Sequence, residues 1–378
     1  MQLSEILFLL VLFAAQLGIV LAIRQRFFAG RGRATVLFWI AVGSLFVIAV
    51  LALVLSLNPR FATFFRPMRT AILLWLLPAA PAFVLYRIFL RLGRIPVNPD
   101  RRQLIRTAGV AAIAAPFAIE AWGAFVTRFD YKIQEVDLPI AGLHPDLAGL
   151  RLLQISDIHL SPFLSERELA RVIDASNDLR PQIAFMTGDL ISSWGDPVDA
   201  CIRQLSRIKA DAPLLGCLGN HEMYVQVERY TQQQAALRGM SFLRHQRREL
   251  RFGNGVLNIA GIDYQPSARR GRYLRYAKPL IAPHATNILL SHSPDVFTEA
   301  PEQGWQAMLA GHTHGGQVTV EILSRTLNVA RFVTRYVSGL YLERGAACYV
   351  TRGIGTIGIP ARVGATPEIT LLRLRRAA

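Results

Sequence analysis

The amino-acid sequence predicts an α/β layered sandwich preceded by an N-terminal four-helix transmembrane region. Three observations carry that expectation. The first 130 residues contain four long apolar runs, the rest alternates apolar strand-like stretches with amphipathic helical ones, and acids and imidazoles recur where the apolar stretches stop. The early runs raise the mean hydropathy of the 378 residues to +0.30. The expected division is a membrane region at 1–128 and a soluble domain at 129–378.

The runs at 6–23, 34–57, 71–90 and 108–126 approach or exceed the roughly 20 apolar residues that cross a bilayer. The first is not read as a cleaved signal, because Met1 to Glu5 has no basic residue and three more spans come after it. Residues 1–130 contain 14 arginines and four acids, Glu5, Asp100, Glu120 and Asp130, so most of the formal charge of +16 lies here. Arg24, Arg26, Arg31 and Arg33 follow the first run, and Arg87, Arg91, Arg94, Arg101, Arg102 and Arg106 lie between the third and fourth. Positive-inside bias puts those two loops in the cytoplasm and both termini outside, so the expected location is a multi-pass inner membrane with the soluble domain extracytoplasmic. Loop two is also basic, with Arg60, Arg66 and Arg69.

Arg101 and Arg102 ahead of the small apolar run at 108–118 allow two readings, an internal twin-arginine export signal or an ordinary basic cluster before a span. Either one exports the soluble domain. Glu120 beside Trp122 reads as an interfacial pair near the outer end of the fourth span, and Pro78 and Pro81 as a kink in the third. A transporter reading rests on the spans alone. Cys201, Cys217 and Cys348 are too few and too scattered for a disulfide framework or a zinc knuckle.

Beyond the spans, residues 131–140 read as an edge strand leading into the soluble domain. Strands follow at 150–156, 183–187 and 214–218, with helices at 165–179, 198–209 and 225–237; the first of these opens with Ser165 as N-cap and Glu168 at the capping-box position. Later strands fall at 256–262, 287–291, 305–310, 348–351 and 369–374.

Chemistry sits where these strands end. Asp157 and His159 leave the first in D-x-H, and alternate residues of an extended chain point the same way, so the two can grip one ion. Asp189 follows the second in T-G-D, where a carboxylate could bridge two cations. Asn220, in G-N-H-E, offers a neutral oxygen that keeps the centre able to admit an anionic phosphate, and His221 would stand beside the metals. His292 comes in S-H-S-P, and His312 and His314 in G-H-T-H-G-G. Each motif is weak alone, but five in this order use five of the chain's eight histidines. His144, His245 and His284 fall outside any motif and read as surface or loop residues.

The series D-x-H, G-D, G-N-H-E, S-H and G-H-x-H resembles the calcineurin-like metallophosphoesterase superfamily from about residue 148 to the C-terminus. The stretch from Tyr349 to Gly355, with Pro367 to Leu372, is similar to its membrane-associated bacterial branch, which includes twin-arginine-exported phosphodiesterases and UDP-2,3-diacylglucosamine pyrophosphatases. The resemblance implies a four-layer α/β/β/α metallophosphoesterase sandwich and two divalent cations. One would be held by Asp157, His159 and His314, the other by Asn220, His292 and His312, with Asp189 between them and His221 as the catalytic side chain. Mixed nitrogen and oxygen ligation suits Mn, Fe or Zn better than Mg.

One departure matters. Members that hydrolyse phosphoproteins have G-D-x-x-D-R-G, whose second Asp pairs with the catalytic His, whereas this chain reads Gly188-Asp189-Leu190-Ile191-Ser192. The expectation is therefore a phosphodiester or pyrophosphate bond, cleaved by a hydroxide bridging the metals, while His221 binds the phosphoryl oxygen or protonates the leaving oxygen. The alternatives are a phosphomonoesterase of the same fold and a non-catalytic metal-binding regulatory module.

Residues 269–278 interleave Arg269, Arg270, Arg272 and Arg275 with Tyr273, Tyr276 and Lys278. They read either as a solvated basic loop or as a binding surface for phosphate. Arg244, Arg247, Arg248 and Arg251 read as plain surface. The expected partners are the bilayer and a phosphorylated lipid or envelope substrate, with no nucleic acid, because four spans confine the domain near the membrane.

Overall fold

The computed structural model describes residues 3–27, 32–55, 59–93, 95, 98–322 and 325–377. Two compact units emerge, Met1–Ala124 and Phe125–Ala378.

The first unit is built from helices α1 (Leu3–Phe27), α2 (Arg33–Leu55), α3 (Pro59–Leu92) and α4 (Pro99–Phe125). Among the described residues, the segments Arg33–Leu55, Phe64–Leu92 and Pro99–Phe129 are long and apolar enough to cross a membrane, and Leu12–Gln25 of α1 is a shorter apolar stretch. Large apolar side chains face outward on α2, with Leu37 65% and Leu45 67% exposed. A helix apolar on its outer face fits lipid rather than water. Helix α3 begins earlier than the third apolar run, so Arg66 and Arg69 lie within the helix. Pro67, Pro78 and Pro81 lie inside the same helix, and Trp75 Nε1 donates to Gln16 Oε1 at 3.0 Å to join α3 to α1.

The second unit opens with β1 (Lys132–Ile140), β2 (Arg151–Ile155), α5 (Glu166–Asp178), β3 (Ile183–Thr187), α6 (Val198–Leu205), β4 (Leu215–Cys217), α7 (Asn220–Tyr224), α8 (Glu228–Ala236) and β5 (Ser241–Phe242). It continues through β6 (Gln246–Phe252), β7 (Gly255–Gly261), β8 (Thr286–Leu290), α9 (Ala300–Gln303), β9 (Ala307–Ala310), β10 (Thr319–Ile322), β11 (Arg325–Asn328), β12 (Gly339–Glu343), β13 (Ala346–Val350) and β14 (Glu368–Arg376).

Two six-stranded sheets form, ordered β1-β14-β2-β3-β4-β5 and β12-β13-β9-β8-β7-β6. Strands β2 to β5 run parallel in the first and β7, β8 and β9 in the second, so their C-terminal ends gather along one edge of each sheet. That edge is where open α/β sheets present ligand-binding loops. Leu152, Phe185, Leu215 and Cys217 of the first sheet meet Leu257, Ile288, Leu290 and Leu309 of the second in one buried cluster, which makes the two sheets a face-to-face sandwich.

Helices α5, α6 and α8 cover the outer face of the first sheet through Leu169, Ile173, Ile202, Leu205 and Ala235. The outer face of the second is covered more thinly, by α9, short 3-10 turns and the buried rings of Tyr273, Phe297, Trp305 and Tyr336. The expected capping box of α5 is present, with Ser165 N donating to Glu168 Oε2 at 2.7 Å and Glu168 N to Ser165 Oγ at 3.3 Å. The helix expected over 225–237 is present but begins only at Glu228, because Gln226 adopts φ +58° ahead of it.

Candidate metal centre

Five strand ends deliver the expected side chains to one place. Asp157 and His159 follow β2, Asp189 follows β3, Asn220 and His221 open α7 after β4, His292 follows β8, and His312 and His314 follow β9. The local reason differs from the alternation expected of D-x-H. Strand β2 stops at Ile155, and Asp157 (φ 51°) and His159 (φ 49°) sit in the left-handed region, as do Asp189 (φ 60°), His312 (φ 75°) and His314 (φ 52°). Such backbone costs on the order of 1 kcal/mol or more per residue and persists only where neighbours fix it. Here Asp157 N donates to Gly188 O at 2.9 Å, His159 N to Asp189 O at 3.1 Å and Gly355 N to Asp157 O at 2.7 Å.

Glycine is required at two of these turns. A Cβ on Gly188 (φ +93°) would lie 2.6 Å from His292 Nδ1, and one on Gly219 would lie 2.0 Å from Asp189 Oδ1.

The ligand atoms fall into overlapping groups. Asp157, His159 and His314 form one, and Asp189, His292 and His312 another, each with its candidate atoms within 4.8 Å of one another. Asp189 Oδ2 stands between them, 3.4 Å from His159 Nε2 and 3.2 Å from His292 Nε2. His314 Nε2 is 3.1 Å from His159 Nε2 and 3.4 Å from Asp157 Oδ1, and His312 Nδ1 is 3.2 Å from His292 Nε2. His221 Nε2 is 4.0 Å from Asp189 Oδ2 and adds a third group with His159 and Asp189.

Hydrogen bonds fix several of these orientations. Carbonyl oxygens only accept, so the 2.7 Å contact of His292 Nδ1 with Thr187 O puts a proton on Nδ1 and turns Nε2 into the cluster. The 2.6 Å contact of His221 Nδ1 with Ser192 O does the same for His221. Each carboxylate also takes a main-chain N–H: His312 N donates to Asp157 and His221 N to Asp189, both at 3.0 Å.

Burial pushes the pKa of His159 and His312 down to about 3 and holds His314 well below its ordinary value, so all three are neutral and able to ligate at physiological pH. For His292 burial works in the same direction, but Asp189 outweighs it and raises the imidazole to about 10. Burial raises Asp157 to about 6, whereas Asp189 is held well below the usual carboxylate range, burial being outweighed by His292 and His221.

Whether these residues suit divalent cations is decided by Asn220. Its side chain is 4% exposed, and Oδ1 is buried with no hydrogen-bond partner among the described residues. An orphaned buried carbonyl costs about 1–3 kcal/mol unless something accepts its lone pairs, and a bound cation would do so. The set of carboxylate, imidazole and amide oxygen fits a divalent metal.

Four further residues build the centre, and their roles were missed in the sequence. Glu222 is fully buried and accepts from the N–H groups of Asp189, Leu190, Ile191 and Gly219 at 3.1, 2.7, 3.4 and 2.8 Å, which binds the β3 turn to the β4 turn. It is the last residue of G-N-H-E, so its position was legible although its partners were not. Arg362, also fully buried, donates to the carbonyls of Gly355, Arg352 and His314 at 3.0, 2.8 and 3.1 Å, with Nη2 3.2 Å from His314 Nδ1. Tyr264 lies with its ring 5.3 Å from that of His312 and 6.0 Å from that of His292. Ser192 places Oγ 3.1 Å from His159 Nδ1.

The basic loop departs from expectation in one respect. Arg269, Arg270, Arg272 and Arg275 are exposed, and Arg275 lies over Tyr276 at 5.6 Å, but Tyr273 and Leu274 turn inward and pack beneath the second sheet. Only Tyr276 of the two tyrosines is available to a ligand, 70% exposed. His144 caps a 3-10 turn and His284 meets Glu249 at the surface.

The structure is a two-sheet α/β sandwich in which acids and imidazoles that could hold a divalent metal converge at the strand ends. Residues 150–316 match the family described as calcineurin-like phosphoesterase. A transmembrane protein with metallophosphoesterase domain from Danio rerio is 29% identical over 282 residues, covering 71% of this chain and 63% of that protein. An uncharacterized metallophosphoesterase of Campylobacter jejuni is also 29% identical, over 65% of this chain and 63% of its own length. The phosphodiesterase YaeI of Escherichia coli is 26% identical over 62% of this chain and 86% of its own length. The chain thus spans less than two thirds of the first two relatives.

Proposed function

We propose that the chain is a membrane-anchored, metal-dependent phosphohydrolase that cleaves a phosphodiester or pyrophosphate bond. Residues 1–128 would span the membrane and 129–378 form the catalytic domain. The observation that carries this reading is the convergence of Asp157, His159, Asp189, His292, His312 and His314, together with a buried Asn220 Oδ1 that has no hydrogen-bond partner among the described residues. Asp157, His159 and His314 would hold one cation and Asn220, His292 and His312 a second, with Asp189 serving both. Bound there, divalent metal supplies Lewis acidity and acidifies water enough to make it a nucleophile at neutral pH.

The chain's own residues do the rest. Glu222 and Arg362 hold the ligand turns rigid, so little reorganisation is left for the reaction. His221 turns Nε2 toward the cluster and stays partly exposed, so it can donate to a phosphoryl or leaving oxygen. Substrate is proposed to be a lipid or envelope phosphodiester. The outward-facing apolar helices and the exposed Arg269, Arg270, Arg272 and Arg275 support that reading, as does the relative named a transmembrane protein. Ser192 at the position of the phosphoprotein-phosphatase Asp argues against a phosphoprotein.

The test is turnover of bis-p-nitrophenyl phosphate by the full-length protein in detergent with added Mn²⁺. Asp189→Asn and His221→Ala are each expected to lose about 10²–10⁴ in rate. Absence of turnover in the wild type, or variants as active as the wild type, would sink the proposal.

A further inference from the structure

The residue that orients His221 is not a neighbouring acid but a peptide group, and that peptide is clamped from both sides. The Ser192 carbonyl accepts from His221 Nδ1 at 2.6 Å. The N–H of the same peptide unit belongs to Ser193 and donates to Asp196 Oδ2 at 2.9 Å, while Ser192 N donates to the same oxygen at 3.1 Å. In a trans peptide the C=O and N–H point in opposite directions, so Asp196 on one side and His221 on the other fix one plane. Turning that plane would break both bonds. Asp196 is itself held at the turn, its N–H donating to Ser193 O at 3.2 Å and its carbonyl accepting from Val198 N at 2.9 Å.

We infer that Asp196 acts on His221 through the Ser192–Ser193 peptide, a carboxylate–peptide–imidazole relay in place of a direct Asp–His pair. A carboxylate bonded to the peptide N–H polarises the carbonyl at its other end, and hydrogen bonds in such chains strengthen one another. Asp196 thereby fixes the His221 ring with its Nδ1–H on the Ser192 carbonyl and Nε2 facing the cluster. Asp196 is a positioning residue; His221 is the group that touches substrate. Resting on the reading above, the relay assigns His221 to the leaving group. As the P–O bond breaks its electron pair stays on the leaving oxygen, which takes the Nε2 proton; water supplies the new oxygen on phosphorus, and solvent reprotonates the ring.

The second contact of Ser192 separates this role from simple support of the metal ligands. Ser192 Oγ touches His159 Nδ1 at 3.1 Å, so a variant that merely loosened the turn would lower metal occupancy and slow every substrate alike. A relay to the leaving group instead makes the defect depend on how badly the leaving oxygen needs a proton.

The experiment compares wild type, Asp196→Ala, Asp196→Asn and His221→Ala as full-length protein in detergent. Bound Mn is measured by mass spectrometry, and turnover with bis-p-nitrophenyl phosphate, an activated leaving group, and diphenyl phosphate, a poor one. Asp196→Ala is expected to keep its metal, to lose less than about 3-fold on the activated ester and roughly 10- to 100-fold on the poor one. Asp196→Asn, which retains an acceptor, should recover most of the loss, and Asp196→Ala should add nothing in the His221→Ala background. Equal losses on both esters, or none on either, would overturn the relay. Should the wild type turn over neither ester, the hydrolase reading falls on its own, and the relay is then decided by NMR. The His221 Nδ1–H resonance, assigned by its absence in His221→Gln, is expected to be protected in the wild type and exchange-broadened in Asp196→Ala; an unchanged resonance overturns it.

Discussion

At the scale of single residues, the centre depends as much on groups that never face a cation as on those that would ligate one. Arg362 is the clearest case. Its fully buried guanidinium, its pKa lowered to about 10 by burial, spends its hydrogens on main-chain carbonyls from three turns. Arg362→Met keeps much of the volume but orphans those oxygens, each at about 1–3 kcal/mol. The expected cost is about 3 kcal/mol, a fall in Tm of roughly 10 °C by thermal unfolding of the full-length protein. A Tm within about 2 °C of wild type would contradict the role. The convergence of Asp157, His159, Asp189, His221, His292, His312 and His314 was legible in the sequence, because each follows an apolar strand in a short motif. Arg362 was not, since an arginine that serves backbone carbonyls leaves no spacing to read. Nor was the work of Asp196, whose effect passes through a peptide group that any residue could supply.

At the scale of elements, legibility follows the hydrophobic pattern. Strand β3 has the expected bounds, and β2, β4, β8 and β14 differ by one or two residues, since interior strands of a largely parallel sheet, buried on both faces, read as apolar runs. Strand β6 was missed and its arginines read as plain surface. It is the edge of the second sheet, and Gln246, Arg247, Arg248 and Glu249 are all exposed, so no apolar alternation announces it; pairing with β7 makes it a strand. The same holds for the hairpin strand β12, and for β5, two residues long. The turns after the strands were the harder problem. D-x-H was placed correctly for the wrong reason, because the left-handed backbone of Asp157 and His159 depends on hydrogen bonds to Gly188, Asp189 and Gly355, far away in sequence.

At the scale of the whole molecule, the arginine distribution and the chemistry make separate claims. Residues 1–130 contain 14 of the chain's arginines and no lysine, concentrated between the first and second and between the third and fourth apolar runs. On positive-inside bias the C-terminus is expected outside. A phosphatase reporter fused after Ala378 is expected to be active in intact cells; activity only after lysis would reverse the topology and favour a cytoplasmic lipid-linked pyrophosphate over an envelope phosphodiester.

The central claim concerns the cations, and anomalous X-ray scattering from crystals grown with Mn²⁺ tests it most directly. Two peaks are expected, about 3.5–4 Å apart as in two-metal phosphoesterases. One should lie against Asp157, His159 and His314 and the other against Asn220 Oδ1, His292 and His312, with Asp189 touching both. A single peak, no peak, or peaks away from Asn220 would contradict the claim.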